Sequence, residues 1–106
     1  MKLDTFTQAY IEALVWSSDD ETEAYSEATV SEALTAQAAK DCEEFQRFHA
    51  GLYEGLSDEQ AGHYFALSRN GHGAGFFDLG MNEAQKAARV YGCVYVYVGD
   101  DGQLYT

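Results

Sequence analysis

The sequence predicts an α+β fold, with N-terminal helices packed on a small antiparallel β-sheet in the order helix, helix, β-hairpin, helix, β-hairpin. Three observations carry this. Apolar residues recur at three- and four-residue spacing through much of residues 5–56, the period of a helix with one buried stripe. "CVYVYV" at 93–98 alternates strictly among β-branched and aromatic residues, the period of a strand with one buried face. Proline is absent, and Asn70-Gly71 and Gly99-Asp100-Asp101-Gly102 sit where hairpin turns are needed. At 106 residues the chain reads as a single domain, 1–106, with one modest core.

The first helix is expected from Thr5, where Thr5-Phe6-Thr7-Gln8 matches a capping box. Phe6, Tyr10, Ala13 and Leu14 form its stripe, and Ser17-Ser18 end it. The acidic stretch that follows, with Tyr25 as its aromatic, reads as a solvated loop. Thr29-Val30-Ser31-Glu32 is a second capping box, opening the longest helix. Leu34, Ala38, Cys42, Phe45, His49, Leu52 and Leu56 line one side; Asp41, Glu44, Arg47 and Glu54 line the other. Gly51 and Gly55 weaken its end by roughly 1 kcal/mol each relative to Ala. His49 reads as a hydrogen-bonded core or boundary residue.

Ser57-Asp58-Glu59-Gln60 is a third capping box, expected to open only one turn before Gly62. From His63 the reading is a hairpin about Asn70-Gly71, which sets Arg69 opposite His72, Phe65 opposite Phe76 and His63 opposite Asp78. A helix from Ser57 to Arg69, ending at Asn70-Gly71 as a C-cap, competes with it. Asn82-Glu83-Ala84-Gln85 caps a short helix that ends near Tyr91, with Gly92 as a left-handed terminator. Val94, Val96 and Val98 then point one way and Cys93, Tyr95 and Tyr97 the other. The Gly99–Gly102 turn leads into a last strand, Gln103 to Thr106.

Charge is the strongest global signal. Eighteen carboxylates against six Lys and Arg give a net charge of −12. Of these, fourteen carboxylates lie in residues 1–60 against Lys2, Lys40 and Arg47. The net charge argues against a basic surface tracking duplex phosphates and is compatible with a partner that is itself basic. Acidity for solubility alone is the alternative, and the asymmetry between the halves weighs against it. No apolar run reaches the length of a membrane span and no secretory leader is visible, so cytoplasm is the expected compartment and no membrane is expected as partner. Cys42 and Cys93 read as reduced, buried thiols. Two cysteines and three histidines without CxxC or HxxxH make no zinc site, and no cofactor is expected.

"SRNGHGAGFF" at 68–77 admits three readings. A phosphate loop fails for want of Gly-Lys-Ser/Thr opening a helix. In a structural reading, glycines supply the turn and leave room for a crossing ring. In a recognition reading, Arg69, Asn70 and His72 stand on a stiff tip with Tyr64 or Phe77 near enough to stack. Catalysis is the weakest option, because His63 and Asp78 have no placed nucleophile.

"LDTFTQAYIEALVWSS", "DCEEFQ", "AGHYFALSRNGHGAGFFDLG" and "YVGDDGQLY" resemble a family of small proteins carried by phages and mobile elements. In that family the middle block runs Arg-Asn-Gly-His-Gly-Ala-Gly-Phe-Trp-Asp-Arg-Gly. Here Phe77 stands where Trp is common and Leu79 where Arg is common, which removes a cation. The acidic loop and the stretch before the last helix are shorter. Small acidic products of such genomes are often counter-defence factors, anti-CRISPR and anti-restriction proteins among them. The resemblance implies a non-enzymatic inhibitor of a nucleic-acid-targeting defence complex, most plausibly CRISPR interference, acting in the cytoplasm of the host by stoichiometric binding.

Two mechanisms follow for such an inhibitor. In a DNA-mimicking decoy, Asp19, Asp20, Glu21, Glu23 and Glu27 enter a Lys/Arg groove of the effector, carboxylates one helical turn apart lying about 5–6 Å from each other. In direct binding of single-stranded DNA, Arg69, Asn70, His72, Lys86 and Arg89 supply charge and hydrogen bonds, and Tyr64, Phe77, Tyr95 and Tyr97 supply stacking. A structural or housekeeping phage protein is the remaining alternative.

Overall fold

The computed structural model describes residues 3–18, 28–71 and 75–106. In chain order these form α1 (Thr5–Ser18), β1 (Thr29–Val30), α2 (Glu32–His49), a 3₁₀ turn (Ala50–Tyr53), α3 (Asp58–Arg69), a second 3₁₀ turn (Phe76–Leu79), α4 (Asn82–Arg89), β2 (Tyr97–Val98) and β3 (Gln103–Tyr105). The fold is α+β, helices packed on a small sheet, as the periodicities predict. Within that class the first hairpin and the purely antiparallel sheet require correction.

The segment expected to form the first hairpin is α3. Ser57 and Gln60 make the full reciprocal capping box, Oγ of Ser57 accepting from the Gln60 amide and Oε1 of Gln60 accepting from the Ser57 amide. The helix does not stop at Gly62. With no side chain there, α1 and α3 cross so closely that a Cβ would meet the Phe6 carbonyl. Asn70-Gly71 ends the helix: Asn70 has φ −89° and only Gly71 is left-handed, at φ +71°. A two-residue type I′ hairpin turn needs positive φ at both positions. Helix wins because it buries Ala61, Phe65, Ala66 and Leu67 in the interior, which a half-exposed hairpin would not.

The aromatic centre of the core follows from this. Phe65 stacks on Phe45 of α2 at 4.1 Å between ring centroids and on Tyr10 of α1 at 5.1 Å. Phe6, Tyr53 and Phe76 close the cluster from α1 and the two 3₁₀ turns. Leu34, Ala38, Cys42 and Phe45 are the buried stripe of α2, whereas Leu52 is exposed and His49 is half-buried, its ring packed on Phe45 without a hydrogen bond.

Three caps are displaced from their expected positions. Asp4 rather than Thr5 caps α1, its Oδ1 accepting from the Thr7 amide at 2.7 Å. Ser31 rather than Thr29 caps α2, its Oγ accepting from the Leu34 amide at 3.1 Å, which frees Thr29-Val30 to form β1. Asn82 is the first helical residue of α4 and its N-cap is Met81, with no side-chain cap bond. Gly92 is left-handed as expected, at φ +77°.

The sheet is mixed, in the order β1-β3-β2. β3 pairs antiparallel with β2, Tyr97 opposite Tyr105, and parallel with β1, Thr29 opposite Gln103. The Gly99–Gly102 turn forms as predicted, the Gly99 amide donating to the Gln103 carbonyl at 2.7 Å. Val96 and Leu104 face the core and Tyr95 and Tyr97 face outward, so the alternation of 93–98 is realised. The ladder itself covers only 97–98, because its partner strand has three residues.

Candidate functional site

Arg69, placed by the sequence at a surface tip, ends α3 inside the protein, 6% exposed. Its guanidinium donates from Nη1 to Asp41 Oδ2 at 2.9 Å and to the Tyr10 hydroxyl at 2.8 Å. Nε and Nη2 donate to the carbonyls of Gly92 and Tyr91, both at 2.8 Å. The guanidinium carbon lies 5.5 Å from the Tyr91 ring centroid. Three helices and the chain after α4 are thereby tied to one planar cation, a task that suits Arg and not Lys. Burial pushes the Tyr10 phenol well above its ordinary value of 10, so it remains a neutral hydroxyl. Tyr91 is shifted the same way, by burial first and then by the bond its hydroxyl donates to Glu44.

Asn70 is equally committed. Its Oδ1 accepts from the Val94 amide at 2.7 Å and its Nδ2 donates to the Val94 carbonyl at 2.8 Å, a mimic of a strand partner. Ser68 is fully buried and its Oγ accepts from the Phe76 amide. Gly75 is needed there, since a Cβ would run into Ser68. The structural reading of the glycine block is therefore the one realised on both sides of 72–74, and Arg69 and Asn70 are not surface contacts. Burial won because a basic group paired with Asp41 and an amide that together satisfy partly buried carbonyls stabilise the fold more than they would on a hydrated tip.

The remaining predicted residues are scattered. His72 and the acids Asp19, Asp20, Glu21, Glu23 and Glu27 lie outside the described residues. Tyr64 is half-buried against Phe76. Phe77 is exposed on the second 3₁₀ turn, and Lys86 is exposed on α4, paired with Glu83 at 3.6 Å. Tyr95 and Tyr97 are exposed on one face of the last extended run, and Tyr97 stacks on Tyr105 at 5.9 Å. Arg89 is also exposed; its guanidinium stands over Gly71, which leaves it the space. Cys93 is exposed rather than buried, and both thiols are free. His63 does not face Asp78: it is half-buried on α3 with its ring against Trp16 and Tyr64.

A groove of about 440 Å³ runs between α2 and the C-terminal strands, with Gln37, Asp41, Arg69, Cys93 and Tyr105 among its walls. Its charged side chains, Asp41 and Arg69, are paired with each other. Among the described residues no group of three His, Cys, Asp or Glu is placed to hold a metal ion, and no helix is long and apolar enough to cross a membrane. Asp41, Tyr10 and Tyr91, which give Arg69 its place, carry no sequence signal as its partners, being 22 to 59 residues away.

The outer surface is what remains. Among the described residues the ion pairs are Arg69–Asp41, inside, and Lys86–Glu83, outside. The exposed carboxylates Glu12, Glu32, Glu43, Glu54, Asp58 and Glu59 have no basic partner among the described residues.

No protein-family model, no curated protein and no solved structure matches this chain.

Proposed function

We propose that this protein is a non-enzymatic, stoichiometric inhibitor of a nucleic-acid-targeting defence complex, CRISPR interference first among them, and that it acts as an acidic decoy for DNA. The observation that carries the reading is the burial of Arg69 against Asp41. It neutralises one of six basic side chains with one of eighteen carboxylates in the interior, so the rest of the chain keeps the full net charge of −12, five Lys and Arg against seventeen carboxylates. A surface of that sign is attracted to a Lys/Arg groove and repelled by phosphate. The resemblance to phage and mobile-element proteins supplies the biological setting.

The test is a pull-down of purified CRISPR surveillance complex with and without target DNA. The decoy binds the DNA-free form, is displaced by DNA, and fails when Asp19, Asp20, Glu21 and Glu23 are charge-reversed. It gives no gel shift with labelled single-stranded DNA at any salt concentration. The second reading, direct binding of single-stranded DNA, is favoured by the outward row of Tyr95 and Tyr97. It demands a saturable shift lost in Tyr95→Ala/Tyr97→Ala or Arg89→Ala, and capture of the DNA-loaded complex alone. A housekeeping phage protein gives neither result and does not protect phage in a plaque assay.

A further inference from the structure

Two pairs of residues four apart in sequence meet across the α1–α3 crossing. Glu12 and Trp16 share one face of α1, and Glu59 and His63 share one face of α3. The close approach allowed by Gly62 brings the two faces together around a cleft of about 170 Å³, floored by Ala9 and walled by Glu12, Glu59, Gln60, His63 and Tyr64. By the same measure a single water needs roughly 10–15 Å³, so a side-chain head group fits. The Trp16 indole, 61% exposed, lies 6.2 Å from the His63 imidazole between centroids, and the Tyr64 ring stands edge-on to that imidazole at 5.8 Å.

In contrast to Arg69 and Asp41, the two carboxylates and the imidazole of the cleft are not tied to each other, while Gln60 is committed to the Ser57 cap. Among the described residues Glu12, Glu59 and His63 make no hydrogen bond or ion pair. Two carboxylates disfavour an anion, and the described residues make no metal cage. Carboxylates beside aromatic faces suit a flat organic cation, which stacks on rings while its edge donates to oxygens. Guanidinium meets that description better than ammonium, a strongly hydrated point charge.

We propose that the cleft between α1 and α3 receives an arginine side chain of the partner protein, its guanidinium held by Glu12 and Glu59 against the rings of His63 and Tyr64, beside Trp16. This deepens the decoy reading by naming an anchor on the basic partner, and rests on that reading only for where the arginine comes from.

Trp16 is the single tryptophan and its ring lies against that of His63 in the cleft wall, so its emission reports binding there. The protein is titrated to millimolar concentration with blocked tri-arginine, with tri-lysine of equal charge, and with tri-citrulline, the flat but neutral counterpart. Tri-arginine is expected to change the emission saturably, tri-lysine to bind several-fold more weakly, and tri-citrulline to do nothing. Glu12→Gln and Glu59→Gln each weaken tri-arginine roughly two- to fivefold, the range for exposed charge pairs, while Glu83→Gln on α4 leaves it unchanged. Both variants should keep the wild-type melting temperature, because the groups they alter make no bond among the described residues. Equal affinity for tri-lysine and tri-arginine, or an equal loss in Glu83→Gln, overturns the proposal in favour of unspecific charge attraction; an unchanged emission overturns it outright. No defence complex takes part, so a negative titration leaves the decoy reading standing, and a negative pull-down leaves the cleft standing.

Discussion

Replacing Arg69 by Met keeps much of the side-chain volume and removes every bond the guanidinium makes. Asp41 is left as a carboxylate only 14% exposed, facing a thioether, and the carbonyls of Tyr91 and Gly92 lose their donors. Breaking a buried ion pair by removing one partner costs about 3–5 kcal/mol. The lower end applies, because Asp41 keeps the Gln37 amide at 3.0 Å and Gly92 is exposed. For a chain of this size a loss of about 3 kcal/mol lowers the melting temperature by on the order of 10 °C, out of a total stability of ~5–15 kcal/mol. Adding Asp41→Leu removes the stranded charge but not the unpaired carbonyls, so the double variant recovers only about 1–2 kcal/mol. Urea unfolding followed by far-UV circular dichroism measures both steps. Arg69→Met within about 0.5 kcal/mol of wild type, the range of ordinary surface changes, combined with lost partner binding, would refute the reasoning and return Arg69 to the surface role its sequence context suggests.

Other consequences are as direct. Gly62→Ala gains about 1 kcal/mol of helix propensity yet destabilises the protein. The new Cβ meets Phe6 backbone that has no room to give, and overpacking costs about 1–3 kcal/mol; a raised melting temperature would contradict the close crossing. Burial raises the Asp4 carboxyl, but bonds from Thr7 and Gln46 outweigh it and hold the group below its ordinary 3.8. The stability this lends is present above the unfolded value and is lost as pH falls through the lower folded one, so Asp4→Asn should flatten the acid limb of the stability–pH profile below about pH 4. Of the two thiols, exposed Cys93 should react with a thiol-specific disulfide reagent at once. Cys42, fully buried and with its thiol pushed up by that burial, should react only as the chain unfolds.

What the sequence by itself determined lies within a turn or two of each residue. The capping box at Ser57-Gln60, the left-handed Gly92, the Gly99–Gly102 turn, and the inward set of Val94, Val96 and Val98 depend on local hydrogen bonds and on period, and those are written in neighbouring residues. Even the displaced caps at Asp4 and Ser31 miss their expected positions by only one or two residues. Tertiary structure decided the rest. Asn70-Gly71 ends a helix or turns a hairpin with equal local ease, and the choice went to whichever buried Phe65 against Phe45 and Tyr10. β1 is too short to show alternation and exists because β3 lies beside it. Above all, whether the guanidinium of residue 69 meets a phosphate outside or Asp41 inside is settled by groups 22 to 59 residues away. A charge is stabilised by what surrounds it in space, and only the packed chain puts those surroundings in place.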